Sequence, residues 1–280
     1  MSSNLSTIPL AASAEDIMFF FYLLARFSGL FLISPLFSNH LIPARVKVFL
    51  TVFISLLVGM TLYNDYQGPN ARFLIPELSG EIQLSVVAIA LSTFKELAVG
   101  YLIGFAFTVI FEAILLAGQV IGIMVGLSVT EILDPISNVR QGLVGQLLSA
   151  ITTLLILSLD LHHIFLQVTV DSFAVLPIGQ QELSYHLLNE IGHGTGRIFH
   201  HGMQISAIPF VVLSLVTLGL GFMARMMPEM NIFMVGFPLK IFIGFYTLIF
   251  TFQYFPIILQ RAFVEYHNLA EIIVIHLSSA

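Results

Sequence analysis

The sequence predicts an all-α fold, a polytopic integral membrane protein built from helical hairpins. Hydrophobic residues make up 58% of the 280 positions and charged residues only 9%, whereas about 25% are charged in ordinary soluble domains. The mean hydropathy is +0.98. Several stretches without Asp, Glu, Lys or Arg approach or exceed the roughly 20 residues that cross a bilayer as a helix. They are 27–44, 113–130, 141–159, 198–224 and 241–260.

The net charge, the lack of cysteine and the lack of catalytic motifs exclude several functions. The net charge is −6 with ten basic residues, too few and too scattered to neutralise a phosphate backbone, so no nucleic-acid partner is expected. Without cysteine there are no disulfides and no thiolate metal sites. No HExxH, GxSxG or Walker-type motif occurs, so the sequence specifies neither catalytic residues nor a cofactor.

The first helix is predicted over 17–37, with Arg26 inside it and Pro35 near its end. Pro43 suits the start of the next apolar run, which reaches residue 63. Residues 64–80 hold proline, glycine and asparagine and are predicted to form a loop.

The apolar region 82–126 is longer than one membrane span. Lys95, Glu96 and Glu112 interrupt it, so it fits either two helices or one long helix in a protein environment. A further run begins at Leu143 and continues to residue 176.

A polar segment, 177–196, divides the chain, and two long apolar helices, 197–227 and 238–260, are predicted to form a hairpin beyond it. The expected organisation is a single membrane domain over 1–280 with no soluble domain. Charges lie inside the apolar helices more than between them, which fits helices enclosed by protein.

Five charged residues interrupt apolar segments, where an unpaired charge is costly and is a functional candidate by default. They are Arg26, Glu96, Glu112, Asp160 and Arg225. In a transporter they would relay protons or ions. In a structural subunit they would pair across helix interfaces and fix the register, which is the interpretation we favour.

Glycines at a spacing of four predict close helix packing, because they remove side chains from one face. Gly100 and Gly104 form one such step, and Gly118, Gly122 and Gly126 form two more. Packing within the chain is one interpretation, and contact with another subunit is the other.

Five of the ten methionines lie close together near the expected hairpin turn. They are Met223, Met226, Met227, Met230 and Met234. Since methionine is flexible and polarizable, this group either fills gaps at a helix turn or forms a deformable surface beside a pore.

Asp160, His162 and His163 suggest a metal site. Adjacent residues of a helix point about 100° apart, so the two imidazoles are not expected to share an ion. Further histidines lie at positions 193, 200 and 201. We therefore expect no metal site.

The order of motifs along nearly the whole chain resembles the FliR family of flagellar type III export-gate proteins and its injectisome relatives. The similar segments are 26–35, 42–47, 111–135, 145–179 and 225–238, which include Pro43, Gly118, Asp160, His162 and Asn231.

This resemblance implies a single copy of the chain in a helical channel formed with FliP and FliQ. The segment 15–196 would resemble FliP, and the hairpin 197–265 would resemble FliQ. FlhB would wrap around the assembly, with FlhA and the MS ring of the basal body nearby. The expected location is the bacterial inner membrane within the flagellar basal body.

The resemblance also assigns a plug that closes the empty channel to the loop 127–134. Leu127, Val129, Ile132 and Leu133 are its candidate residues. The implied function is that of a non-enzymatic export-gate subunit through which unfolded flagellar substrates pass. An injectisome subunit and a stand-alone proton-coupled transporter are the alternatives, although no internal repeat supports the transporter.

Overall fold

The computed structural model describes residues 14–35, 43–66, 86–127, 142–176, 178 and 185–278. Within these ranges the chain forms seven helices and no strand, which confirms the predicted all-α class. Four helices are long and apolar enough to cross a membrane, and a bent pair provides a fifth span if it is counted as one. The prediction of a polytopic membrane protein is therefore confirmed.

The helices follow one another along the chain with these bounds: α1 Ala14–Ile33, α2 Ala44–Tyr66, α3 Val86–Val125, α4 Leu143–Ser158, α5 His162–Val175, α6 Tyr185–Met226 and α7 Ile232–Ser278.

The apolar region 82–126 is one continuous helix of 40 residues from Val86 onwards, not two helices. The first helix of the predicted hairpin begins earlier than expected, at Tyr185 and not at 197, so part of the polar segment 177–196 is helical. Polar side chains at a helix start are compatible with the helical backbone when they face solvent, and His193 and Gly196 are exposed. The hairpin's second helix also extends to Ser278, well beyond the predicted end at 260.

Three helices are much longer than a bilayer is thick. With 40, 42 and 47 residues in α3, α6 and α7, a rise of 1.5 Å per residue gives lengths of about 60 to 70 Å. The hydrocarbon core of a bilayer is only about 30 Å thick. A substantial part of each helix must therefore lie outside the hydrocarbon.

The chain divides into two compact units. The first comprises Met1–Phe105, Val168–Leu187 and Glu271–Ala280, and the second comprises Ala106–Gln167 and Leu188–Ala270.

In the first unit, α1 packs closely on the first half of α3. A Cβ atom on Gly29 would meet the backbone of Leu97 and Tyr101, and one on Gly104 would meet Leu30. Such backbone-to-backbone contact is what small residues permit.

Aromatic rings fill the core of the second unit. The Phe107 ring lies with its centre 4.8 Å from that of Phe165, 5.5 Å from that of Phe263 and 5.6 Å from that of Tyr266. All four side chains are buried. This cluster joins α3, α5 and α7, and the burial of large rings contributes strongly to stability.

Gly126 ends α3 in a left-handed conformation, with φ of 94°. The Leu127 N–H donates to the Gly122 carbonyl at 3.0 Å, and the Gly126 N–H donates to the Ile123 carbonyl at 3.1 Å. These two bonds form a Schellman motif, which glycine favours because it lacks a Cβ atom.

Candidate functional site

The most tightly defined polar site in the described residues is a buried ion pair between α1 and α3. The Nε atom of Arg26 donates to Oε2 of Glu96 at 2.7 Å, and an Nη atom of the same guanidinium lies 2.7 Å from the same oxygen. Neither side chain is exposed to solvent. Charge-assisted hydrogen bonds of this kind are among the stronger polar contacts in proteins.

The same guanidinium also binds the C-terminal part of α5. Nη1 donates to the hydroxyl of Ser172 at 2.9 Å, and Nη2 donates to the carbonyl of Leu176 at 3.2 Å. The Phe173 ring lies under the guanidinium carbon, with its centre 3.9 Å away. One arginine therefore connects α1, α3 and α5.

Glycine brings the backbones of α1 and α3 close enough for this contact. Gly100 lies one helical turn after Glu96, and a Cβ atom there would meet the backbone of Arg26. The ion pair and the small residue thus occupy one face of α3, since positions four apart lie above one another on a helix. This arrangement fixes the register of the two helices, because a slip of either helix would separate the charges.

The other three charges predicted to be buried are exposed within this chain. Glu112, Asp160 and Arg225 have exposed side chains. Their burial by neighbouring chains stays a prediction. Of the five charged residues, two therefore form a buried ion pair, and three lie at the surface of this chain.

The glycines lie at helix contacts inside the chain. Gly118 of α3 packs on Gly145 of α4, where an added Cβ atom would meet the Gly145 backbone. A Cβ atom added to Gly122 would lie 4.0 Å from a methyl group of Val144. Gly100, Gly104 and Gly126 contact α1 or end α3, as described above. These contacts correspond to packing within the chain.

A sharp break separates α4 from α5, and the two helices are bent by 68°. Asp160 has φ of 55°, the left-handed conformation that non-glycine residues adopt uncommonly. The Leu161 N–H donates to the Ile156 carbonyl at 3.0 Å, which closes α4. Asp160 thus takes the place that glycine occupies in most such helix ends.

At this break the two histidines do not diverge. The ring centres of His162 and His163 lie 4.2 Å apart, and each residue of the group Asp160, His162 and His163 offers a ligand atom within 4.8 Å of the others. The argument that adjacent histidines point apart was wrong here, because they are the first residues of α5. No preceding helical turn restricts their side chains there.

A second pair of adjacent histidines lies on α6. The ring centres of His200 and His201 are 6.0 Å apart, and both side chains lie within 3.4 Å of Gln204. Among the residues described by the structure, these histidines are not part of a group of three metal ligands.

The turn of the α6–α7 hairpin carries the methionine cluster on its surface. All five methionines are exposed, with Met226 at 82% and Met234 at 78%. They therefore do not fill a gap inside this chain. Among the described residues, no atom lies within 4 Å of a Cβ atom added to Gly219 or Gly221 of α6. Both positions are therefore open, on nearly opposite sides of the helix.

An apolar groove lies beside the open glycines. It has a volume of about 330 Å³ and is lined by residues that include Val125, Leu220, Gly221 and Phe237, with Lys240 among them. Its walls belong to α6, α7 and the end of α3.

Of the four plug candidates, only Leu127 is described, and it follows the Schellman motif at the end of α3. Val129, Ile132 and Leu133 lie outside the described residues.

Sequence reasoning missed the partners of the charged pair and of the glycines. Ser172 and Phe173 are polar and aromatic positions with no distinguishing spacing, and Gly29 and Gly145 belong to no run of small residues. The pairing of Arg26 with Glu96 spans 70 positions. The only sign of it in the sequence was that the two residues have opposite charges.

Comparisons with known proteins identify the family of this chain. The family described as bacterial export proteins, family 1, matches residues 17–266. The chain is 30% identical over 262 residues to the flagellar biosynthetic protein FliR of Pectobacterium carotovorum subsp. carotovorum, covering 93% of this chain and 94% of that protein. FliR of Escherichia coli (strain K12) is 29% identical over 227 residues, or 80% of each chain. FliR of Bacillus subtilis (strain 168) is 27% identical over 251 residues, covering 87% of this chain and 90% of that protein. The chain therefore belongs to the bacterial export proteins of family 1, the family of the flagellar biosynthetic proteins FliR.

Proposed function

We propose that this chain is a non-enzymatic core subunit of the flagellar protein export gate in the bacterial inner membrane. It would form, with FliP and FliQ, the channel through which unfolded flagellar substrates pass, with FlhB, FlhA and the basal-body MS ring around it. The family establishes the coarser statement, a membrane-embedded flagellar biosynthetic protein of an export family. The finer assignment rests on the surface of the hairpin.

The observation that carries the proposal is the large uncovered apolar surface of α6 and α7. Only 28% of the most apolar window of α6 and 22% of that of α7 are buried within the chain. Exposed large apolar side chains also extend well beyond these windows, from Leu188 to Met226 on α6 and from Phe233 to Ile275 on α7. At 1.5 Å per residue these stretches are about 55–65 Å long, so a hydrocarbon core of about 30 Å cannot cover all of them. Neighbouring protein chains would cover the remainder.

The chemistry of this surface favours helices as its occupants. Gly219 and Gly221 are open positions on two sides of α6, and at each of them a neighbouring helix can approach the backbone closely. The groove beside them accepts apolar side chains, and the exposed methionines adapt to irregular surfaces. The proposed occupants are FliP-like or FliQ-like helical hairpins, which would place apolar helices against this surface.

No specific contact in the described residues favours the transporter. Of the acidic residues that motivated it, Glu96 binds Arg26, whereas Glu112 and Asp160 are exposed. An injectisome subunit would need the same apolar helical surface, but the relatives above are named for flagellar biosynthesis.

Co-purification tests the assembly. We expect co-expression with FliP and FliQ to give one complex in mild detergent, containing one copy of this chain. The Gly221→Leu variant should lose the partners while the chain itself still folds, because a Cβ atom at this position meets no described atom within 4 Å and the rest of the side chain can extend into the open groove.

Gly192→Leu is the matched control. Gly192 also has no neighbour within 4 Å, but it lies in the polar start of α6. This variant should keep the partners. Recovery of only a stable monomer under several mild detergents would count against the proposal.

The plug can be tested by permeability. Apolar side chains at a constriction exclude water and ions until a substrate displaces them. Replacing Val129 and Ile132 by glycine should therefore make resting cells leak ions or small molecules. Unchanged permeability in a correctly assembled variant would remove these two positions from the seal.

A further inference from the structure

We propose that Asp160, His162 and His163 form a binding site for a divalent transition-metal ion at the break between α4 and α5. Two imidazoles and one carboxylate are the donor set that suits Zn²⁺ and its neighbours Co²⁺ and Ni²⁺. The proposed function assigns no role to these residues, so the inference stands apart from it.

The distances are within reach of coordination. The three ligand atoms lie within 4.8 Å of one another, and Nδ1 of His163 lies 4.0 Å from Oδ1 of Asp160. Ligand atoms in a tetrahedral site with bonds of about 2.1 Å are about 3.4 Å apart. The side chains of His163 and Asp160 are 68% and 74% exposed, so they have room to close this gap by rotation.

The backbone holds the three residues together before a metal binds. Asp160 is fixed in its left-handed conformation by the helix end that precedes it. The His163 N–H donates to the Asp160 carbonyl at 3.1 Å, which links the carboxylate residue to the first turn of α5. Less conformational freedom is therefore lost on binding.

His162 provides an independent indication. Its ring is only partly exposed, and its Nδ1 atom is shielded from solvent and has no hydrogen-bond partner among the described residues. A buried polar atom without a partner is unfavourable. Coordination gives this imidazole the polar interaction that the chain does not provide.

The expected role is to hold the bend. Three protein ligands leave at least one coordination position open for water or for a side chain of a neighbouring subunit. A bound ion would connect the end of α4 to the start of α5 and stabilise the 68° break against straightening.

A tag-free preparation of the full chain, alone or in its complex, allows a direct test with Co²⁺. Cobalt bound to nitrogen and oxygen ligands gives visible absorption bands, and Zn²⁺ should displace it. We expect one Co²⁺ per chain. His163→Ala removes a ligand and Asp160→Asn removes the negative charge of another, so each should weaken binding by about tenfold or more.

The chain provides a matched control in His200 and His201, a second pair of adjacent histidines. His200→Ala should leave Co²⁺ binding unchanged. Asp160→Asn preserves the fold, because asparagine tolerates the left-handed conformation, and circular dichroism checks this. Absence of bound Co²⁺ in the wild type, or equal binding by the wild type and both ligand variants, would overturn the proposal.

Discussion

The helix α3 and the hairpin of α6 and α7 have similar composition but different surroundings. The most apolar windows of α3 and α6 have the same mean hydropathy of 2.2, and that of α7 is 1.9. Yet 67% of the α3 window is buried within the chain, against 28% and 22% for the hairpin helices. Hydropathy therefore shows that a segment avoids water, but not whether protein of the same chain covers it.

Glycines explain part of this difference. Those of α3, such as Gly100 and Gly118, lie directly against the backbone of other helices. Those of α6 at Gly219 and Gly221 face no atom within 4 Å. Gly202 of α6 does lie against the backbone of Ala113, so a glycine marks a completed contact at some positions and an open surface at others.

The largest effect is expected from the ion pair that anchors α3. Arg26→Ala removes the guanidinium that compensates the buried charge of Glu96, and breaking a buried ion pair in this way destabilises proteins by about 3–5 kcal/mol. The chain should then be lost from the membrane fraction, and motility should be lost with it. Abundance measured by immunoblot checks the first result.

Glu112→Gln is the control for this variant, because Glu112 is an exposed charge on the same helix. It should leave abundance unchanged. Arg26→Met combined with Glu96→Leu should recover part of the abundance, since an apolar pair carries no uncompensated charge. Wild-type abundance of the Arg26→Ala chain would show that the pair does not hold α3 in place.

The next largest effect is expected at the contact between α3 and α4. In Gly118→Ala the new methyl group meets the backbone of Gly145, and overpacking of this kind costs about 1–3 kcal/mol. Thermal unfolding in detergent should show a lower midpoint. An unchanged midpoint would mean that the two helices can separate freely, in contradiction of the close packing.

A smaller effect is expected at the end of α3. Gly126→Ala places a side chain on a residue with φ of 94°, and the left-handed region costs an L residue about 1–2 kcal/mol. Part of this cost should be lost by local rearrangement, because the residue ends the helix. The unfolding midpoint should fall less than for Gly118→Ala, and a larger fall would reverse this order.

The smallest effect, and one of opposite sign, is expected on the hairpin. Gly219→Ala adds a methyl group that meets no atom within 4 Å, while alanine favours a helix over glycine by up to about 1 kcal/mol. The unfolding midpoint of the chain should stay the same or rise slightly. A fall as large as that of Gly118→Ala would show that this face is packed within the chain after all.

The sequence alone was sufficient for properties that depend on composition and local periodicity. The scarcity of charge and the long apolar runs determine an all-α membrane protein, because backbone polar groups must be satisfied by the protein when water is absent and apolar runs of about 20 residues satisfy them as helices. The same reasoning identified Arg26 and Glu96 as costly charges. It did not identify them as partners, since opposite charge alone does not choose among several acidic residues.

The tertiary structure decided which of these features meet. The contact between Gly118 and Gly145, the junction of α1, α3 and α5 at Arg26, and the exposure of the hairpin depend on packing between distant segments. The closeness of His162 and His163 depends on the helix break at Asp160, where an aspartate takes the left-handed conformation more usual for glycine. Local patterns specify how a segment avoids water, whereas long-range packing selects its neighbours, and only the neighbours fix the geometry of a site.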